Sequence, residues 1–106
     1  MALSKLIEYK DQNNMVLAIT SYHIIASVII DYKALGGGNI VAIVQSYVDK
    51  KDRDENLHNT RYRLSIPLAG HDAPNEFFLN IENENVLQKC YEALKQHKIF
   101  LGAQDA

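Results

Sequence analysis

The sequence predicts an α+β domain: a mostly antiparallel β-sheet of three to five strands with one C-terminal helix packed on one face. Three observations carry this reading. Two long runs rich in β-branched and aromatic residues, Met15 to Ala34 and Ile40 to Asp49, flank the triple glycine Gly36-Gly37-Gly38, the pattern of two strands joined by a tight turn that needs positive φ. Arg61 to Leu68 alternates strictly, with Tyr62, Leu64, Ile66 and Leu68 on one side and Arg61, Arg63, Ser65 and Pro67 on the other, as in a half-buried strand. Val86, Leu87, Cys90, Tyr91 and Leu94 recur at spacings of three and four, one apolar helical stripe.

The elements follow in order. Leu3 to Lys10 alternates poorly and reads as a short helical turn or an edge strand. Asp11-Gln12-Asn13-Asn14 is a cluster of turn formers and predicts a loop. In the first long strand the even positions, Thr20 through Ala34, form the greasier side and are expected to face the helix. Tyr22, Tyr32 and Tyr62 then read as core residues with hydroxyls at the rim. Lys50 to Asn59 interleaves Lys50, Lys51 and Arg53 with Asp52 and Asp54 and reads as a solvated charged loop. Pro67 suggests a strand end or an edge. Ala69 to Asn75 reads as a loop and Glu76 to Ile81 as a further strand. The helix spans about residues 84–98, with Asn83 or Asn85 as its cap and Lys95, His97 and Lys98 suited to its carbonyl end. Gly102 is the expected stop, with Ala103 to Ala106 fraying beyond it.

At 106 residues the chain reads as one β-rich domain, residues 1–106, with a modest core. A net charge of −2 gives no electrostatic reason to expect nucleic acid. No apolar run is long enough for a membrane-spanning helix, the first residues do not read as a signal peptide, and a single cysteine, Cys90, makes no intrachain disulfide.

No reaction signature emerges. The glycines lack the Lys-Ser or Lys-Thr of a phosphate loop. Asp52, Asp54 and Asn56 start like a calcium loop, but Leu57 stands where the bend needs glycine and Arg63 where the bidentate glutamate belongs. His23, His58, His71 and His97 are scattered without metal-ligand spacing. His71-Asp72 reads as a turn pair, and Cys90 sits on the apolar helix stripe like a small hydrophobe. No catalytic, cofactor-binding or metal-binding residue is assigned, and no cofactor is expected.

What stands out is a surplus of apolar surface. The odd face of the paired strands carries Ile25, Ile29, Val41, Ile43 and Tyr47. One helix covers one sheet face, so these five residues are the expected interface, unless a second helix or the segment Leu3 to Tyr9 folds over them as a lid.

The segments Tyr47 to Arg53, Thr60 to Leu64, Tyr91 to Lys95 and Phe100 to Ala106 resemble small proteins encoded among the structural genes of tailed bacteriophages. The resemblance covers roughly Tyr22 to Ala106 and implies a β-rich body followed by one helix. It also implies a non-enzymatic virion part of the tail or baseplate region, made in the host cytoplasm and built into the virion. Its expected partners are copies of itself or other virion proteins. The second expectation is a small phage- or host-encoded binding or inhibitor protein acting on a host target through the same patch.

Overall fold

The computed structural model describes residues 1–32, 38–56, 59–69 and 86–106. It is an α+β structure with, among the described residues, five strands and two helices: β1 (Leu3–Lys10), β2 (Val16–Tyr32), β3 (Gly38–Tyr47), α1 (Lys50–Glu55), β4 (Tyr62–Ala69), α2 (Val86–Gln96) and β5 (Gln104–Asp105). The sheet order is β4-β3-β2-β1-β5, and every pairing is antiparallel. The glycine-rich turn apart from Gly38, the expected strand Glu76 to Ile81 and the helix-capping asparagines lie outside the described residues.

The first ten residues are therefore neither a helical turn nor a lid. β1 pairs with β2 from Leu3 opposite His23 to Lys10 opposite Val16. The turn between them forms where the turn formers cluster. Asp11 accepts from the backbone N–H groups of Asn13 (2.8 Å) and Met15 (2.9 Å), and Asn14 takes φ 64°, the left-handed conformation that Asn tolerates well.

β2 does not keep one face throughout. Ile25 lies opposite Val44 and Ser27 opposite Ile43, so Ala26 is an extra residue, a β-bulge. A bulge reverses which parity points inward. Before it, His23 and Ile25 point to the core side; after it, Val28 does. The even-face expectation for β2 is corrected on this point. Tyr22 stands opposite Tyr47 and Ile24 opposite Gln45 on the side away from α2, whereas the even residues of β3 and β4 do face the helix. The core joins Leu3, Ile7, Ile25, Ala42, Val44 and Ile66 of the sheet to Cys90, Tyr91 and Leu94 of α2 and to Phe100.

Two side chains show how far the sheet curls. β1 and β4 are separated by two strands, yet Tyr9 stacks on Tyr62 with ring centroids 4.0 Å apart and planes 14° from parallel. At the other end of β1 the phenol of Tyr91 stands in for a missing ladder partner. It accepts from the Ile25 N–H (2.8 Å) and donates to the Met1 carbonyl (3.0 Å).

Two further elements differ from expectation. Lys50 to Glu55 is a helix, not a solvated loop, because Asp49 caps it by accepting from the Asp52 N–H (2.7 Å). Beyond α2, a turn through Phe100 and Gly102 (φ 86°) leads into β5, which pairs with β1 at Leu3 and Ser4, so the last residues do not fray.

The bulge generates a test. Ile25→Ala empties core space and is expected to cost about 2–5 kcal/mol in urea unfolding. Ile29→Ala removes an exposed side chain and should stay within about 0.5 kcal/mol of wild type. Equal losses would place both residues on one face and contradict the bulge.

Candidate functional site

The five residues of the expected interface do not form one surface. Ile25 is in the core under α2. Ile29, Val41, Ile43 and Tyr47 share the opposite face, but Ile43 and Tyr47 are already buried within the single subunit, at 7% and 0% exposure. Burial pushes the Tyr47 phenol pKa up, and its hydroxyl donates to Gln45 (3.3 Å). Val41 is half-buried, and only Ile29 remains open, at 51%.

Among the described residues several exposed apolar side chains gather elsewhere, on the ribbon made by β1 and the first third of β2 and the turn between them. Leu6 is 74% exposed and Leu17 55%, with Met15, Val16 and Ile19 also open. The local sequence explains the orientation. On β2, Ala18 and Thr20 turn inward toward Tyr9 and Ile7, which leaves Leu17 and Ile19 pointing outward. β1 alternates without a break, Leu3, Ile7 and Tyr9 inward and Ser4, Leu6 and Glu8 outward. Where Lys5 and Leu6 together oppose Ser21, a second bulge, it is β2 that switches its inward residues from Thr20 to His23. The ribbon also has open backbone edges. β3 reaches β2 only as far as Tyr22, and β5 covers only Leu3 and Ser4 of β1. Among the described residues no strand pairs with the outer edge of Lys5 to Lys10. Sequence reasoning missed this strip, although the apolar run Met15-Val16-Leu17-Ala18 is out of phase with the alternation that follows it.

Directly beneath the ribbon is a polar corner that no spacing motif announced. His23 Nε2 lies 2.8 Å from the Lys5 carbonyl oxygen and Nδ1 lies 2.7 Å from Ser46 Oγ. A carbonyl only accepts, so Nε2 carries the proton and Nδ1 accepts from the Ser46 hydroxyl. Ser46 Oγ in turn accepts from the Tyr9 hydroxyl (3.2 Å). His23, Ser46 and Thr20 have no exposed surface at all. The Phe100 ring closes the site edge-on against the imidazole, 5.1 Å between centroids. Lys5 ties the same turn down by donating to the Ile99 carbonyl (2.9 Å). Burial holds the His23 pKa below its ordinary value and pushes the Tyr9 phenol up. The Thr20 hydroxyl sits beside Tyr9 without a hydrogen-bond partner that meets ordinary geometry.

A serine hydroxyl donating to a histidine is the first half of a nucleophile–base pair. Here Ser46 is fully buried, and the far ring nitrogen is held by a backbone carbonyl rather than a carboxylate. The pair has no approach for a substrate, and its chemistry is that of a structural polar network. Cys90 is buried and its thiol pKa raised by burial, opposite to an activated thiolate.

The charged segment is equally committed. Asp52 Oδ1 accepts from Arg61 Nη2 (2.8 Å) and Asn56 Nδ2 (2.9 Å), while Oδ2 accepts from the Val48 N–H (3.0 Å) and Arg61 Nε (3.1 Å). The Arg61 guanidinium first, then the Val48 N–H, holds this carboxyl below the usual carboxylate range. A carboxylate with both oxygens doubly bonded fixes α1 to β4 and leaves nothing for a cation. Among the described residues no group of three His, Cys, Asp or Glu side chains is placed to hold a metal, and no helix is long and apolar enough to cross a membrane. His58, His71 and Asp72 lie outside the described residues.

No protein-family model, curated protein or solved structure matches this chain.

The Asp52 pair has a defined pH signature. A carboxyl whose folded pKa is depressed stabilises the fold above its unfolded pKa, about 4, and loses that contribution as pH falls through the folded value. Asp52→Asn is expected to lower the thermal midpoint at pH 7. The gap to wild type should close as pH drops below about 4, and a gap that stays constant there would contradict the assignment.

Proposed function

We propose that the protein is a non-enzymatic assembly subunit that works by protein–protein association, with the exposed face and edges of the β1–β2 ribbon as its contact surface. One observation carries this reading: Leu6, Met15, Val16, Leu17 and Ile19 expose large apolar side chains together on two paired strands. Singly exposed apolar residues are ordinary, but several gathered on one ribbon, here around the Glu8–Lys10 ion pair opposite Ile19 and Val16, mark a binding surface. Next to it, N–H and C=O groups that pair with no strand among the described residues offer a template for an added strand. The sealed Ser46–His23 pair and the inert Cys90 thiol support a role without catalysis. The resemblance of Tyr47 to Arg53, Thr60 to Leu64 and Phe100 to Ala106 to proteins of phage structural regions supports a place in a virion, in the tail or baseplate region. Copies of itself or other virion proteins would be its partners.

Ile29 and Val41 extend the same outer face but stand apart from the ribbon, and Ile43 and Tyr47 have little surface left to contribute. The contact is therefore placed on Leu17 and Ile19 rather than on Ile43.

Size-exclusion chromatography with light scattering tests this directly. Wild type is expected to form a defined oligomer, and Leu17→Asp with Ile19→Asp to give a monomer with an unchanged circular dichroism spectrum. Ile43→Asp is expected to unfold the subunit rather than dissociate it, since a buried unpaired charge is strongly destabilising. A wild type that stays monomeric at its highest soluble concentration would defeat self-assembly and favour a binding protein acting on a different partner.

A further inference from the structure

The polar corner joins elements that are otherwise held separately. Through hydrogen bonds it links Lys5 and Tyr9 of β1, His23 of β2 and Ser46 of β3. Through Phe100 and the Lys5–Ile99 bond it also links the turn that follows α2. The polarity of this chain is set by one fact, that Nδ1 of His23 has no proton. Tyr9 donates to Ser46, Ser46 to Nδ1, and Nε2–H to the Lys5 carbonyl.

We propose that His23 is an acid-released latch: a proton on Nδ1 puts an uncompensated charge into a sealed corner and reverses its hydrogen-bond chain, and so frees β1 and the Phe100 turn from the sheet. With Nδ1 protonated, Ser46 must accept from the ring and donate to Tyr9 in place of the reverse, since either hydroxyl of that contact can donate, and the buried charge is the cost that remains. The imidazolium would sit in a site with no exposed surface. Among the described residues nothing there offsets its charge. β1 presents the Lys5 ammonium, of the same sign, and the neutral Tyr9 phenol. β3 presents Ser46, β2 the Thr20 hydroxyl, and the C-terminal turn an aromatic edge. The hydroxyl that α2 brings nearby, on Tyr91, is committed to Ile25 and Met1. Opening the corner gives the imidazolium water.

The direction follows from linkage. The closed state binds a proton more weakly than an open one, in which the ring has an ordinary value near 6.5. Stability of the corner is thus complete above that value and is lost as pH falls below it. This inference stands on the corner's own geometry and does not depend on the association reading.

Amide hydrogen exchange on the whole chain tests it, read as protection factors so that the intrinsic pH dependence of exchange is removed. From about pH 7.5 to 5, protection of β1 and of residues 97–103 is expected to fall. Below about pH 6.5 the fall should reach up to about tenfold per pH unit, the slope for one proton. The centre of β3 and Cys90 to Leu94 of α2 should hold. His23→Gln, which keeps a donor near the Lys5 carbonyl but cannot ionise, should abolish the fall. Flat protection in wild type overturns the proposal, as does an equal fall in His23→Gln.

Discussion

A buried imidazole with both nitrogens bonded is the constraint on which the curled half of this sheet depends. His23 has no exposed surface and no carboxylate partner among the described residues. Its burial is tolerable only because a carbonyl takes one nitrogen's proton and a hydroxyl supplies a proton to the other. Those two partners come from β1 and β3, the strands flanking β2. The network therefore fixes how far the sheet bends, and the bend brings Tyr9 onto Tyr62 across two intervening strands. Phe100 then has a flat wall to close against, and the end of the chain returns beside β1, where the Ala106 N–H donates to the Ala2 carbonyl (3.0 Å).

Bulges distribute the remaining apolar surface. Without the extra residue at Ala26, Ile25 and Ile29 would share a face. With it, Ile25 joins the core and Ile29 looks out. The two-against-one register at Lys5 and Leu6 leaves the alternation of β1 unbroken and switches the inward side of β2 from Thr20 to His23. The Ala26 bulge turns Ile29 outward apart from the ribbon, whereas Leu6 and Ile19 reach the ribbon's outer face by the ordinary alternation of their strands. The proposed contact surface thus lies beside a corner that ties β1, β2 and β3 together.

Much of the architecture was legible from local pattern. α2 follows from the spacing of Cys90, Tyr91 and Leu94, the inward side of β4 from its strict alternation, and the first turn from Asp11 and Asn14. Each of these is set by neighbours in sequence. The elements that escaped are set by distant partners. α1 carries no apolar stripe and owes its place to Arg61, nine residues beyond Asp52. β5 is two residues long and exists because β1 offers an edge. The Ala26 bulge has no glycine to mark it, so a period-two reading runs through it unaware and puts Ile25 on the wrong side. His23 looked like one of four scattered histidines because Ser46, its partner, is a common residue 23 positions away. The surplus expected around Ile43 and Tyr47 is absent there because both are buried, and Leu6, Leu17 and Ile19, which the sequence reading did not single out, are exposed.

The account turns on the tautomer of His23, and nitrogen NMR of the labelled imidazole reads it directly. At neutral pH the ring should be neutral, with the proton on Nε2, a bare Nδ1 and slow exchange of that proton with water. A ring protonated on Nδ1, or one that exchanges freely and titrates at an ordinary histidine value, would mean that the corner is open to solvent and does not hold the sheet.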